Sequence, residues 1–286
     1  MQKGRRLPEW LKMQRASGKN YSMVKHVVLE NHLNTICTSG NCPNIGECWN
    51  SGTATFMILG DICTRACKFC ATTTGRPLAP DFQEPLRLAE SIKKMRLKHC
   101  VITSVDRDDL SDGGASFWAD TIRCIKDVNP EITIETLIPD FDGVPEHIEQ
   151  IINADPDVIS HNLETVRRLT PIIRTKAKYE RSLEVIRYIS EKGLIAKSGI
   201  MLGLGEKEDE ILETIADIRA TGCKILTIGQ YLQPGLDFMK VIDYISPEKF
   251  EEYRTMALES GFDFVESGPL VRSSFHAEKH IKAREY

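Results

Sequence analysis

Three cysteines stand close together in the stretch DICTRACKFC, residues 61–70. Cys63, Cys67 and Cys70 follow an apolar run and have the spacing CxxxCxxC. A structural zinc site of four thiolates would need one more ligand, and no nearby His or Cys follows in the predicted loop. Three thiolates fit a [4Fe-4S] cluster with one iron left without a protein ligand, and an open position is typical of catalytic metal sites. A structural zinc or a chance group of cysteines is the alternative.

An iron atom with an open position can chelate the amino and carboxylate groups of S-adenosylmethionine. One electron from the cluster then cleaves the sulfonium to methionine and a 5′-deoxyadenosyl radical, chemistry that belongs to this pair of cofactors. Phe69, between the last two cysteines, is a candidate to pack against the adenine. Arg65 and Lys68 are candidates to tune the cluster's potential or to meet a reductant. The loop is therefore predicted to form radicals.

A second trio of cysteines lies upstream, in the stretch CTSGNCPNIGECWNSG. Cys37, Cys42 and Cys48 have the spacing CxxxxCxxxxxC, and the glycines between them let the backbone wrap closely around a metal centre. The residues alone leave three interpretations open: zinc, an electron-transfer cluster or a second reactive cluster. The remaining cysteines stand singly, as buried thiols that pack like small apolar side chains commonly do: Cys100, Cys124 and Cys223.

The scaffold for these cysteines is predicted from alternating strands and helices. Segments with helical periodicity separate six apolar, β-branched segments, and two of the predicted helices end at Gly193 and Gly222. This alternation favours a parallel α/β sheet of βαβ units, and six strands over about 180 residues fit a partial (β/α)6 TIM-type barrel. An open doubly wound sheet is the alternative. The predicted strands are 54–62, 99–105, 131–139, 157–163, 194–204 and 224–232.

The predicted domains follow from this scaffold. Residues 1–52 are an N-terminal extension that carries the second cysteine trio, residues 53–267 are the barrel, and residues 268–286 are a C-terminal tail. The stretch from residue 246 onward is predicted to be a last helix followed by this tail. The chemistry is expected at the carboxyl ends of the strands, where the loop of residues 61–70 falls.

Composition limits the classes of partner. The chain has 286 residues, a net charge of -4 and a pI near 6.0, so a nucleic-acid-binding surface is not expected. No apolar run approaches the roughly 18 to 20 residues of a membrane span, and the first thirty residues carry charges where a signal peptide would be apolar. We predict a cytoplasmic protein with no membrane partner. In a reducing compartment, clustered cysteines are more often metal ligands than disulfides.

Several motifs in order along the chain resemble one known family. The CxxxCxxC loop after the first strand resembles the radical S-adenosylmethionine superfamily. Together with the upstream trio, the following segments make the whole chain similar to the lipoyl synthase family: LPEWLK (7–12), VDRDDLSDGGA (105–115), SHNLETV (160–166), SGIMLGLGE (198–206) and GPLVRSSFHA (268–277). The family usually has Tyr where this chain has Phe275, so a hydrogen bond from that hydroxyl is lost here.

The resemblance implies an activity and its cofactors. It implies insertion of sulfur at C6 and C8 of an octanoyl chain on a lysine of a lipoyl carrier protein, with two [4Fe-4S] clusters and two molecules of S-adenosylmethionine. The Cys63, Cys67, Cys70 cluster would generate the radical. The auxiliary cluster on Cys37, Cys42 and Cys48 would give up sulfide and be degraded. In the family a serine of the tail is a further ligand of that cluster; we assign it to Ser274, with Ser273 as the neighbouring alternative. Serine oxygen is a poorer ligand for iron than thiolate, which suits a cluster that must come apart.

The remaining candidate residues follow predicted strands. Asp112, Gly113 and Gly114 are candidates to contact the methionine ammonium, or else form a flexible loop before a helix. Asn162 and Glu164 are candidates to bind the ribose or carboxylate, although an Asx turn or helix cap explains Asn162 almost as well.

Partners are expected at the surface. Three cations are candidates to attract an acidic carrier domain, although solvent exposure alone is a common role for such charges: Arg174, Lys176 and Lys178. A flavodoxin or ferredoxin type reductant and an iron-sulfur carrier that rebuilds the auxiliary cluster are also expected. Two other interpretations remain: another radical enzyme with an auxiliary cluster, and a non-catalytic iron-sulfur electron carrier.

Overall fold

The computed structural model describes residues 7–12, 17–40 and 42–277. Within them eight strands form one sheet, in the order β1-β2-β5-β6-β7-β8-β9-β10, and β3 pairs with β4 beside it. All neighbours in the large sheet are parallel except β1 and β2, which are antiparallel. The strands are β1 Asn34–Thr35, β2 Thr53–Ile58, β3 Ile62–Cys63, β4 Thr73–Thr74, β5 His99–Ser104, β6 Thr133–Leu137, β7 Val158–Ser160, β8 Ile195–Leu202, β9 Ile225–Gln230 and β10 Phe264–Gly268.

Helices follow the parallel strands and cover the outside of the sheet. Their apolar faces are buried against it, as the buried Leu88, Ile92 and Met95 of α4 illustrate. Gly193 and Gly222 have positive φ just past two helix ends, as predicted. The helices are α1 Lys19–Glu30, α2 Ile36–Ser39, α3 Ile45–Ser51, α4 Glu84–Met95, α5 Ala115–Val128, α6 Pro145–Ile152, α7 Thr170–Ile173, α8 Tyr179–Glu191, α9 Glu208–Ala220 and α10 Pro247–Glu259, with short 3-10 helices at Glu9–Leu11 and Phe141–Gly143.

The six predicted strands are confirmed, but the sheet has one more parallel strand than predicted. β10 pairs with β9 from Phe264↔Ile225 to Gly268↔Gly229. The prediction of a helix followed directly by a tail was wrong here, because β10 is short and three of its five residues are Glu266, Ser267 and Gly268. An edge strand can carry polar residues on the side that is not packed, which removes the apolar run on which the prediction depended.

The sheet forms a partial barrel, and within the described residues no hydrogen-bonded pairing joins its two edge strands. β1 lies at one edge and β10 at the other. β1 comes from the predicted N-terminal extension and pairs with β2 through Asn34↔Met57 and Thr35↔Phe56. The segment after β10 returns towards β2, where Thr55 donates a hydrogen bond to Ser274.

The described helices include none that is both long and apolar enough to cross a membrane.

Candidate active site

A cavity of about 330 Å³ lies at the carboxyl ends of the parallel strands. Each strand from β2 to β9 contributes a residue at or just past its end, in the place where parallel α/β sheets bind ligands. The wall includes Met57, Thr103, Leu137, Asn162, Met201 and Gly229.

The first cysteine trio lines this cavity, as predicted. Cys63 ends β3, whose pairing with β4 closes the loop that carries Cys67 and Cys70. The Cys63 sulfur accepts backbone N–H hydrogen bonds from Arg65 at 3.4 Å and Asp106 at 3.3 Å. Burial raises the pKa of Cys63 to about 11, and the charge of Asp106 adds to the rise, while the two N–H groups oppose it. A metal cation would overcome this cost and hold the thiolate form, so this donor set fits an iron cluster.

Arg65 anchors the cysteine loop to the strand ends. Its guanidinium lies 2.8 Å from Asp140 and 2.8 Å from Asp108, and 3.2 Å from Asp106. Its side chain is only 5% exposed, so the predicted contact of Arg65 with a reductant is wrong. Lys68, by contrast, is exposed. The sequence analysis did not predict this role for the three aspartates. Asp106 and Asp108 lie shortly after the end of β5, and Asp140 lies shortly after the end of β6.

Asn162 and Glu164 both line the cavity, as expected of cofactor-binding residues. Asn162 donates its amide to Glu164 at 3.1 Å, while its Oδ1 is buried and accepts no hydrogen bond. That oxygen is a free acceptor for a ligand hydroxyl, which fits a ribose and does not fit the alternative of an Asx turn or helix cap. Gly199 makes the space, because a Cβ there would lie 3.0 Å from Asn162 Oδ1 and 2.5 Å from Thr227 Oγ1.

Glu164 has positive φ and is held in place by the sheet. Its backbone bridges to β8 through bonds to Gly199 and from Met201. Burial raises the pKa of its carboxyl, and the charge of Arg174 opposes the rise. Phe69 also lines the cavity, beside the cysteines. The predicted contacts of these residues with S-adenosylmethionine stay predictions, and the geometry is compatible with them.

Asp112, Gly113 and Gly114 are not among the residues that line the cavity. Asp112 accepts hydrogen bonds from the backbone N–H of Gly114 and of Ser116, both at 2.9 Å, at the start of α5. Gly114 is in the left-handed region. The Asp112 carboxylate is thus used to begin a helix, and the predicted contact of this segment's backbone with the methionine ammonium stays a prediction.

Arg174 is buried in the wall of the cavity and not on the surface as predicted. Its Nη1 donates to Leu163 O at 3.1 Å and to Ser182 Oγ at 2.9 Å. Lys176 forms an ion pair with Asp108 at 2.9 Å, and Lys178 is exposed at the start of α8. Of the three cations predicted to attract a carrier, only the two lysines are in a position to do so.

The second cysteine trio meets the C-terminal tail. Cys37 is buried in α2, and the backbone N–H of Cys42 donates to Cys37 O at 3.0 Å. Asn44 donates its amide to Leu270 O at 2.7 Å, 226 residues later in the chain. Thr55 donates its hydroxyl to Ser274 Oγ at 2.9 Å. The tail therefore lies against the cysteine segment, as the resemblance implied.

Thr55 also acts on Cys37. Burial raises the pKa of Cys37 to about 11, and the neighbouring Cys42 adds to the rise, while Thr55 opposes it. Ser274 thus shares a partner with Cys37, whereas Ser273 lines the cavity. The choice of Ser274 as cluster ligand stays a prediction. Phe275 stacks on His276, with ring centroids 3.9 Å apart.

Arg272 lies between the tail and the cavity. Its Nη1 donates to Gln230 O at 3.2 Å and to Val271 O at 2.7 Å. The tail can approach β9 this closely because residue 229 is glycine: a Cβ there would lie 2.2 Å from Val271 O. Burial raises the pKa of Cys42, which the Asn44 N–H and the positive charge of Arg272 both oppose.

In the described part of the chain, no three His, Cys, Asp or Glu side chains converge on a point that could hold a single metal ion. Ligands that each bind a different iron of one cluster need not converge on a single point.

Comparison with known proteins identifies the family. Residues 57–218 match the family model described as Radical SAM superfamily. A lipoyl synthase of Parabacteroides distasonis is 57% identical over 276 residues, 96% of this chain and 98% of that protein. One of Phocaeicola vulgatus is 59% identical over 275 residues (96% and 97%), and the mitochondrial lipoyl synthase of Nematostella vectensis is 56% identical over 275 residues (96% and 94%). The chain belongs to the lipoyl synthase family.

Solved structures of other proteins share its fold. Methylornithine synthase (PylB) has a TM-score of 0.57 at 11% identity, covering 75% of this chain and 70% of that one. HydG, a maturase of the [FeFe]-hydrogenase, has a TM-score of 0.57 at 12% identity, covering 82% and 63%. At these identities the likeness concerns the fold, and it confirms the α/β TIM-type barrel.

Membership of the lipoyl synthase family makes the chain a sulfur-inserting enzyme. The superfamily implies a [4Fe-4S] cluster and S-adenosylmethionine as cofactors.

Proposed function

We propose that this chain inserts two sulfur atoms, at C6 and C8 of a protein-bound octanoyl-lysine, to form the lipoyl group. One observation carries the proposal: the cavity that the first cysteine trio lines also extends to residues beside the second trio. Cys63, Cys67 and Cys70 line one side of it. Ile36, next to Cys37, and the tail residues from Val271 to Ser273 line another. A substrate carbon in this cavity would lie between a source of radicals and a source of sulfur.

Both sites would hold a [4Fe-4S] cluster, but with different sets of ligands. Cys63, Cys67 and Cys70 would hold a [4Fe-4S] cluster with an open iron, and Cys37, Cys42 and Cys48 with Ser274 would hold the auxiliary [4Fe-4S] cluster. When bound, these groups and S-adenosylmethionine supply the carbon radical that removes hydrogen from unactivated carbons and the sulfide that replaces it. Because C6 and C8 each lose one hydrogen, two molecules of S-adenosylmethionine are used for each lipoyl group.

The residues of the chain bind and orient the substrate and the cofactor, and they exclude water from the cavity. Apolar side chains between the two sites suit an octanoyl chain, among them Ile36, Met57 and Val271. Asn162 presents its unpaired oxygen to the ribose, and Phe69 packs near the adenine. Arg65 holds the cysteine loop on the strand ends, where its cysteines line the cavity and would hold the cluster beside the substrate.

The proposed partners bind at the mouth of the barrel. Lys68 and Lys178 are exposed cations near the Cys63 loop and the start of α8, and they suit an acidic carrier domain or a flavodoxin or ferredoxin type reductant. An iron-sulfur carrier would rebuild the auxiliary cluster after each turnover.

The test is anaerobic incubation of the reconstituted chain with dithionite, S-adenosylmethionine and an octanoyl-lysine peptide, followed by mass spectrometry. We expect a product with two added sulfurs. Cleavage of the cofactor without sulfur in the peptide would indicate another radical enzyme. Absence of cofactor cleavage would indicate an electron carrier.

A further inference from the structure

Arg272 is a cation with an unusual set of contacts. It is half-buried and lines the cavity. Its hydrogen bonds go to two main-chain oxygens, Gln230 O and Val271 O. Among the residues that the structure describes, no carboxylate lies within ion-pair distance of it. The guanidinium is therefore held in place by neutral groups and lacks a counter-charge.

Three arginines of the described ranges line the cavity, and only Arg65 is balanced there, by three aspartates. Arg174, like Arg272, bonds to neutral oxygens, those of Leu163 and Ser182. A charge withdrawn from water is costly unless an opposite charge lies nearby. Since two main-chain oxygens supply only partial charges, the position of Arg272 indicates an anion that is bound in the functional enzyme.

The contacts of the tail identify the location of that anion. Asn44, two residues after Cys42, donates to Leu270 O at 2.7 Å, two residues before Arg272, and Val271 packs closely on Gly229, so the tail lies against both the cysteine segment and β9. The positive charge of Arg272 also opposes the effect of burial, which raises the pKa of Cys42. The cation is thus carried by the same tail that brings Ser274 to this site.

We propose that Arg272 is the electrostatic partner of the auxiliary cluster and raises its reduction potential. The inference rests on the proposed function, because it assumes an iron cluster on Cys37, Cys42 and Cys48. Thiolate ligands give such a cluster a net negative charge, and reduction makes that charge larger. A fixed cation nearby stabilises the reduced state more than the oxidised state. Arg272 is a positioning residue for sulfur chemistry, not a ligand of iron.

The test isolates the auxiliary cluster in the full chain. Joint replacement of Cys63, Cys67 and Cys70 by Ala leaves only the upstream trio, and we expect about four irons per chain from one remaining cluster. The midpoint potential is then measured by redox titration followed by electron paramagnetic resonance. In this background Arg272→Gln should shift the potential to more negative values. Arg272→Lys, which keeps the charge, should stay near the parent.

Arg174 provides the matched control. It is also an arginine in the cavity wall that bonds to neutral oxygens, but it acts on Cys67 of the other trio. Arg174→Gln should therefore shift the auxiliary potential much less than Arg272→Gln. Equal shifts in the two Gln variants, or equal shifts in Arg272→Gln and Arg272→Lys, would overturn the proposal.

Two further outcomes separate the possible failures. If the triple Ala background binds no iron, the auxiliary cluster of the proposed function is absent and the inference falls with it. If that background holds its cluster and Arg272→Gln leaves the potential unchanged, the inference alone is wrong. Weaker binding of S-adenosylmethionine by Arg272→Gln in the otherwise native chain, with an unchanged potential, would assign the cation to the cofactor carboxylate instead. Loss of iron in Arg272→Gln but not in Arg272→Lys would support the proposal.

Discussion

The two cysteine sites are held in place by different kinds of interaction. The Cys63 loop is fixed by ionic bonds from Arg65 to aspartates at the ends of neighbouring strands. The Cys37 segment is fixed mainly by neutral hydrogen bonds between distant parts of the chain, Asn44 to Leu270 and Thr55 to Ser274, and by one exposed contact of His276 with Glu47. The first arrangement suits a centre that must persist through many turnovers. The second suits a centre that is opened and rebuilt.

The largest effects are expected from removing one ligand at each site. Cys63→Ala should reduce formation of 5′-deoxyadenosine to background, because the cluster that binds the cofactor loses a ligand. Cys37→Ala should keep that cleavage but give no sulfur-containing peptide. Chromatography of the nucleoside and mass spectrometry of the peptide measure both. If Cys37→Ala abolishes cofactor cleavage as well, the two sites do not have separate tasks.

Arg65→Gln tests the ion pairs that fix the Cys63 loop. Replacement leaves the buried Asp140 without its closest cation and should destabilise the chain by about 3–5 kcal/mol. Denaturant unfolding of the iron-free chain measures this. Arg167→Gln is the control, because Arg167 also binds acidic residues but is 47% exposed, and it should cost less than about 1 kcal/mol. Similar losses in the two variants would show that burial of the Arg65 cluster does not matter.

Gly229→Ala tests the attachment of the tail, which depends on close packing and neutral hydrogen bonds. The added Cβ would collide with Val271 O, and relief of the clash requires the tail to move, at a cost of about 1–3 kcal/mol. Formation of the sulfur product should fall by about tenfold while cofactor cleavage is largely kept. Gly235→Ala is the control, since a Cβ there meets only Phe238 at 3.4 Å, an ordinary contact. A parallel fall in cleavage and product would contradict separate attachment of the tail.

Acid should weaken the stabilisation that the Arg65 ion pairs give to the folded chain, and this effect should be smaller than those of the substitutions above. Burial raises the pKa of Asp108, but hydrogen bonds from Arg65 and Lys176 outweigh it and lower that pKa from 3.8 to about 2. Between these values the unfolded chain binds more protons than the folded chain, so this contribution to stability is present above pH 3.8 and is lost as pH falls towards about 2. The stability gap between the native chain and Arg65→Gln should narrow over this range. Unfolding curves at a series of pH values measure the gap, and a gap that widens in acid would contradict the assignment.

The sequence predicts the repetitive parts of this molecule well. Six strands and the helices between them follow from local patterns, since apolar β-branched runs and helical periodicity are properties of neighbouring residues. β10 was missed because its packed side is short and its other residues are polar. The three cysteines of the radical site were found for the same reason as the strands: their spacing is local.

The parts of the site that could not be predicted from the sequence depend on contacts between residues far apart in the chain. Nothing near Arg174 in the sequence shows that Ser182 and Leu163 would enclose it. The aspartates that bind Arg65 follow different strands and come together only when the parallel sheet forms. The contacts of Asp112 with the start of α5 were not predicted, because an acidic residue before two glycines has the same local appearance whether it binds a ligand or begins a helix.

The central claim is that the upstream cysteine site supplies the sulfur and the Cys63 site supplies the radical. The most direct measurement uses chain reconstituted with sulfur-34 sulfide and a single turnover in buffer that contains ordinary sulfide, followed by mass spectrometry of the octanoyl-lysine peptide. We predict that both inserted atoms are sulfur-34 in the native chain and that Cys37→Ala gives no product. A product that carries ordinary sulfur, or a labelled product from Cys37→Ala, would contradict the account.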